Sequence, residues 1–267
     1  MTTIGKFTLY TFAEFQAWVT NTSFNRVIKV IQNHHTYIPG YAHFKGNNHF
    51  ELLKSMERGH IERGFAEIAQ NLTTYPDGTI AVCRSFDKIP AGIKGANSIG
   101  LCIEHIGNFN TDGDTMSQPH RDSIINLNAV LCKKFNLTPS TDSVVYHHWY
   151  DLNTGERKNG AGVTKTCPGT NFFGGNKVED AQKNFIPLVA NALNQFNFSG
   201  HTIVVNDTLQ NGTVNARVLN VRSLPATTGA ILKTLREGTT VAIYESKNGW
   251  YRIDTGSQWV KAEFINI

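Results

Sequence analysis

Apolar positions recur at helical spacing in four stretches of the chain and at strand spacing between them. Thr11-Phe12-Ala13-Glu14 has the form of a capping box, and Phe12, Phe15, Trp18 and Val19 follow at helical intervals, which predicts a short helix. The apolar run from Val27 to Ile31 reads as a strand ending at Asn33-His34-His35-Thr36. A second helix is expected from Asn48 to Gly59, with Phe50 and Leu53 on one face. Tyr75-Pro76-Asp77-Gly78 is a turn signal, so residues 68–74 and 79–84 are expected to pair as a hairpin. A further strand is expected over residues 99–106. Ser117-Gln118-Pro119 then opens a helix whose apolar stripe is Ile124, Leu127, Leu131 and Phe135. Val144 to Tyr146 forms a short strand running into His147-His148. A last helix is expected from Val178 to Phe196, kinked at Pro187.

Alternation of strands and helices over residues 1–197 indicates an α/β domain. Near Asn197–Gly200 the helical period stops. Short β-rich runs follow, at residues 218–221, 239–244, 250–253 and 258–260, punctuated by Gly229, Gly238, Gly249 and Gly256. Residues 203–267 are therefore expected to form a small all-β barrel, with 202–215 as either a strand or a linker.

With 267 residues, of which 40% are hydrophobic and 17% charged, the chain can bury a core in each of two domains. The net charge of +4 favours an anionic polymer, yet no dense Lys/Arg run points to nucleic acid. No segment approaches the roughly 18 apolar residues of a membrane span. Residues 1–10 lack a basic stretch followed by an apolar run, so the expectation is synthesis in the cytoplasm without a signal peptide.

The cysteines are Cys83, Cys102, Cys132 and Cys167, irregularly spaced and with no signal peptide to suggest disulfides. The first three sit in apolar runs and read as small core residues. Cys167 lies in Lys165-Thr166-Cys167-Pro168-Gly169, a polar turn where burial is not expected. His34-His35, His147-His148 and Cys167 all fall at strand ends or in loops. Two imidazoles and a thiolate would leave a fourth position for water, as in a catalytic zinc site. On spacing alone, ordinary surface histidines fit equally well.

These segments carry a resemblance. Val30-Ile31-Gln32-Asn33-His34-His35-Thr36, Val144-Val145-Tyr146-His147 and Lys165-Thr166-Cys167-Pro168-Gly169 resemble the three zinc motifs of the type-2 N-acetylmuramoyl-L-alanine amidases. That family also includes animal peptidoglycan-recognition proteins. Arg63-Gly64-Phe65 through Ile80, Asn97 to Gly100 and Gly107 to Phe109 resemble its intervening hairpin, strand and turn, so the likeness runs over about residues 10–190. It implies a mixed central sheet flanked by helices, and Zn2+ held by His34, His147 and Cys167. Strand alternation supports one histidine from each pair. Residues 151–164 look like an inserted loop.

The resemblance also implies a catalytic role for Lys165, as the group that steadies an oxyanion. Where some relatives carry a tyrosine base, this chain has Gln70, which cannot act as one. Glu104 shares a strand face with Gly100 and Cys102 and is the expected general base, while His105 faces away. Asn33, His35, Tyr37, Asn71, Asn97, His148 and Thr166 are candidates to line the groove.

Residues 216–225, Ala-Arg-Val-Leu-Asn-Val-Arg-Ser-Leu-Pro, resemble the opening of a bacterial SH3-like domain, and the likeness covers about residues 203–267. Such domains bind bacterial wall peptides or polymers. Trp250, Tyr251 and Trp259 would form either that surface or the barrel core. Together these features imply zinc-dependent hydrolysis of the amide between the lactyl group of N-acetylmuramic acid and L-alanine in peptidoglycan. The enzyme would be a wall-lytic one, released by a holin or by lysis. The alternative is a non-catalytic peptidoglycan-binding protein on the same fold.

Overall fold

The computed structural model describes residues 1–198, 210–254 and 258–267, with the side chains of 197 and 198 left aside. The chain divides into two compact units, Met1–Gly200 and His201–Ile267. Residues 199–209, which include the second half of the expected junction, and Gly256 lie outside the described residues. Among the described residues no helix is long and apolar enough to cross a membrane.

The first unit contains, in order, β1 (Thr2–Ile4), β2 (Phe7–Tyr10), α1 (Phe12–Asn21), β3 (Val30–His35), α2 (His49–Glu62), β4 (Leu72–Thr74), β5 (Ile80–Val82), β6 (Gly100–His105), α3 (Gln118–Lys134), β7 (Val144–Tyr146), α4 (Val178–Asp180) and α5 (Ile186–Phe198). Short 3-10 turns include Asn97–Ile99, His147–Trp149 and Phe172–Gly174. Thr11 and Glu14 complete the capping box of α1, and Ser117 caps α3 by accepting from the His120 amide.

A single seven-stranded sheet runs in the order β1-β2-β5-β4-β6-β3-β7. β3 pairs in parallel with β6 and β7, and β4 in parallel with β6, whereas β1, β2 and the β4–β5 hairpin pair antiparallel. The sheet is therefore mixed. Parallel pairing brings the carboxyl ends of β3, β6 and β7 to one edge, the usual place for ligands in open α/β sheets. All six residues of β3 are buried, because parallel strands flank it on both sides. α1, α3 and α5 share the larger hydrophobic core with Ile31, Leu101, Ile103 and Val144. α2 packs on a smaller cluster built from Phe7, Leu52, Leu53, Ile68, Tyr75 and Ile106.

Three local readings change. The strand begins at Val30 rather than Val27, which is 69% exposed. Just before it, the Arg26 guanidinium donates to the carbonyls of Phe86, Lys88, Asn97, Ser98 and Gly100, tethering that segment outside the ladder. The β4–β5 hairpin is shorter than its apolar runs, since Arg84 Nε takes the Ile68 carbonyl at 2.8 Å. The irregularity near Pro187 is a π turn over Ala181–Phe185, in which the Ile186 amide reaches back to the Ala181 carbonyl. The widened turn makes room for a proline ring that would otherwise strike the carbonyl four residues earlier.

The second unit is all-β. It comprises β8 (Gln210–Val214), β9 (Val218–Arg222), β10 (Ile231–Arg236), β11 (Thr240–Ile243), β12 (Glu245–Lys247), β13 (Trp250–Arg252), β14 (Trp259–Lys261) and β15 (Ile265–Asn266). They form one sheet in the order β10-β9-β14-β13-β12 and another in the order β11-β8-β15. Gln210–Val214 is thus a strand. Val214, Leu219, Val221, Val241, Ile243, Val260 and Ile265 make its core. Trp250 and Trp259 are buried as well, each 7% exposed, so these rings belong to the interior rather than to a binding surface.

Candidate metal centre

Period-two alternation assigns the side chains at the carboxyl edge of the sheet to opposite faces. His34 and Glu104 are register partners in the β3–β6 pair, so both project to one face, whereas Asn33, His35 and His105 project to the other. β7 ends at Tyr146, register partner of Asn33, and His147 opens the 3-10 turn that follows. His34 Nδ1 and His147 Nδ1 approach to 3.1 Å. Cys167 arrives from the loop after residue 150. One ligand atom from each of His34, His147 and Cys167 lies within 4.8 Å of the others, and all three residues are buried.

Cys167 is 7% exposed, contrary to the expectation from its polar turn. The turn folds inward because its carbonyls are taken up by neighbours. His148 donates from Nδ1 to the Lys165 carbonyl at 2.7 Å and from its amide to the Cys167 carbonyl at 2.8 Å. Asn176 Nδ2 donates to the Thr166 carbonyl at 2.8 Å. Satisfied in this way, the backbone can be buried at little cost.

Glu104 Oε1 stands 3.8 Å from His34 Nδ1, and Glu104 Oε2 has no hydrogen-bond partner among the described residues. Burial pushes the Glu104 carboxyl up to about 8, against the opposing pull of the Lys165 and Arg63 cations. His34 is held well below the usual imidazole range by burial, then by His147, His105 and Lys165. His147 is lowered to about 4 by burial and by Lys165. Burial and the neighbouring Glu104 raise the Cys167 thiol. Both imidazoles are therefore neutral at pH 7, the form that binds a metal. Lys165 itself is exposed, and its charge is felt at all four groups.

A second set of donor atoms, from His34, Cys102 and Glu104, also lies within 4.8 Å. Cys102, expected from its apolar run to be a small core residue, is buried and also faces this site. Its strand-face relation to Glu104 was the available signal. Burial raises its thiol well above the ordinary range, followed by Glu104 and Cys167.

Several groove candidates are structural. Asn33 pairs with the Asn128 amide and accepts from His105 Nε2 at 3.0 Å. Asn71 is fully buried, where it donates to the Ser85 carbonyl and accepts from the Cys102 amide. Asn97 accepts from the Gly92 and Ile93 amides, and His35 Nδ1 from the Phe109 amide. Gln70 is buried and donates to Thr73 Oγ1. Tyr37 remains 54% exposed beside His35, and Thr166 is exposed.

The sequence profile of the N-acetylmuramoyl-L-alanine amidase family matches residues 24–170, and that of the bacterial SH3 domain matches residues 217–266. No curated protein matches the chain. Among solved structures, the chain is similar to the N-acetylmuramoyl-L-alanine amidase LysC from Clostridium intestinale URNW, with 23% identity and a TM-score of 0.42 over 58% of this chain and 85% of that one. It is similar to Drosophila PGRP-LB at 20% identity and a TM-score of 0.44, over 70% of this chain and 89% of that one. Drosophila Peptidoglycan Recognition Protein (PGRP)-SA matches at 20% identity and a TM-score of 0.46, over 61% and 83%.

Proposed function

The chain belongs to the N-acetylmuramoyl-L-alanine amidase family, and from this premise we propose that it is a zinc enzyme that cuts the lactyl–L-alanine amide of peptidoglycan. The observation that carries this reading is the convergence of His34, His147 and Cys167 at the carboxyl edge of the parallel strands. Two imidazoles and a thiol suit zinc and leave one position for water or substrate. Ligand nitrogens about 2.0 Å from a tetrahedral ion stand ~3.3 Å apart. The 3.1 Å between His34 Nδ1 and His147 Nδ1 fits that edge.

Zinc held by His34, His147 and Cys167 would supply Lewis-acid chemistry toward the amide carbonyl and toward water. Glu104 takes the proton released as water attacks and returns it to the departing L-alanine amine. Glu104 lies on the same sheet face as His34, with its Oε2 unpartnered among the described residues, which supports that role. The exposed Lys165 ammonium, whose charge is felt at His34, Glu104, His147 and Cys167, steadies the developing oxyanion. The SH3 domain holds the enzyme on the wall and raises the local substrate concentration.

Digestion of purified walls tests the reaction. New L-alanine amino ends without new reducing sugar ends are expected, with about one zinc per chain and loss of activity on chelation. Cys167→Ser should lose the metal and on the order of 10³-fold in turnover, since a metal Lewis acid is worth several kcal/mol. New reducing ends, or full activity in metal-free protein, would overturn the reading.

A further inference from the structure

His148 follows His147 in the same 3-10 turn, yet it serves a different loop. A carbonyl only accepts, so the bond to Lys165 places a proton on His148 Nδ1. With its own amide bonded to the Cys167 carbonyl, His148 grips both ends of the Lys165–Cys167 segment. Asn176 holds the middle peptide, and its carbonyl is in turn fixed by Trp149 Nε1 at 2.8 Å.

The other edge of the His148 ring meets Gly160. A Cβ at Gly160 would lie 2.7 Å from His148 Nε2, and φ there is +95°, so glycine alone lets the loop close on the ring. That loop has a frame of its own. Asp151 accepts from the amides of Asn153, Thr154 and Val163, and the Lys158 and Asn159 amides donate to the Trp149 carbonyl. Lys94 Nζ donates to the Asn153 carbonyl, tying the loop to the segment before β6.

We propose that His148 is a positioning residue for Cys167 and Lys165, and that residues 151–164 serve to hold its ring in place. An exposed lysine on an untethered loop would sample many positions. Fixing the peptides on both sides of Thr166 restricts where Lys165 and Cys167 project. The inference rests on the amidase reading.

The test uses full-length protein loaded with Co2+ in place of zinc. His148→Ala should change the cobalt ligand-field spectrum and weaken metal binding about tenfold in a chelator competition. On a soluble muropeptide it should lower kcat with KM near that of the parent. His148→Asn, whose amide can donate from the Nδ1 position, should recover most of both. Gly160→Ala should shift the spectrum in the same direction by less. Far-UV circular dichroism checks that each variant folds. A folded His148→Ala protein with the parent's spectrum and metal affinity would overturn the proposal. If that variant does not fold, an unchanged spectrum in Gly160→Ala would do so. A parent protein that binds cobalt but releases no L-alanine ends would sink the amidase reading, while the spectra would still report on the clamp.

Discussion

The two units bury different chemistry. The first encloses Gln32, Asn33, His34, Gln70, Asn71, His105, His120, Asn128 and His147 among its apolar residues. In the second, the buried side chains among the described residues are apolar throughout, from Val214 to Ile265, with Trp250 and Trp259 included. An apolar core needs volume and shape, whereas a buried polar group needs a particular partner. The barrel can therefore change its surface without changing its core. In the first unit a change at a buried polar residue also strands its hydrogen-bond partner.

One chain of such bonds shows how specific they are. Asn33 Oδ1 can only accept, so the proton lies on His105 Nε2. Burial keeps His105 and His120 neutral, His120 being lowered to about 3. His105 Nδ1 must then accept from the Thr74 hydroxyl at 2.7 Å, and Thr74 Oγ1 must accept from His120 Nε2 at 2.7 Å. His120 Nδ1 accepts from the Tyr41 hydroxyl at 2.8 Å. Each donor has one acceptor, and the chain fixes the face of β3 opposite His34.

The largest effect that sharpens this contrast is expected at Glu104. Glu104→Gln should leave fold and zinc content intact while lowering turnover on the order of 10²-fold or more. A near-normal rate would place the base elsewhere. Next comes separation of the units. Residues 1–200 alone should cleave soluble muropeptides at close to the full-length rate and intact walls about tenfold more slowly. Equal rates of wall lysis would remove the anchoring role from the barrel.

The smallest effect is in stability against pH. Burial lowers His60 to about 4, with Arg63 and Arg84 adding to it, and His120 to about 3. The unfolded chain binds protons at these sites below about 6.5, which the folded chain refuses. Their contribution is complete above that value and is lost as pH falls from 6.5 towards 4. Residues 210–267 contain no histidine. In calorimetry of chelator-treated protein, the melting transition of the first unit should fall between pH 7 and pH 5, while that of the barrel stays level. Parallel shifts of both transitions would contradict the assignment.

Local features were written in the chain itself. The capping box of α1, the apolar stripe of α3, the Tyr75–Gly78 turn and the change to β-rich runs after the last helix depend on residues a few positions apart, and such spacing survives without the fold. The likeness to the amidase motifs singled out His34, His147 and Cys167 in the same way. What the sequence could not contain was the facing partner. That Asn33 and Asn71 are structural, that Cys167 is buried, that His148 grips the Lys165–Cys167 turn against Gly160, and that Trp250 and Trp259 turn inward all depend on contacts between distant segments. Strand register and loop closure decide those contacts. A side chain's role is set by which group they bring opposite it, because a polar atom of either kind must find its partner once water is excluded.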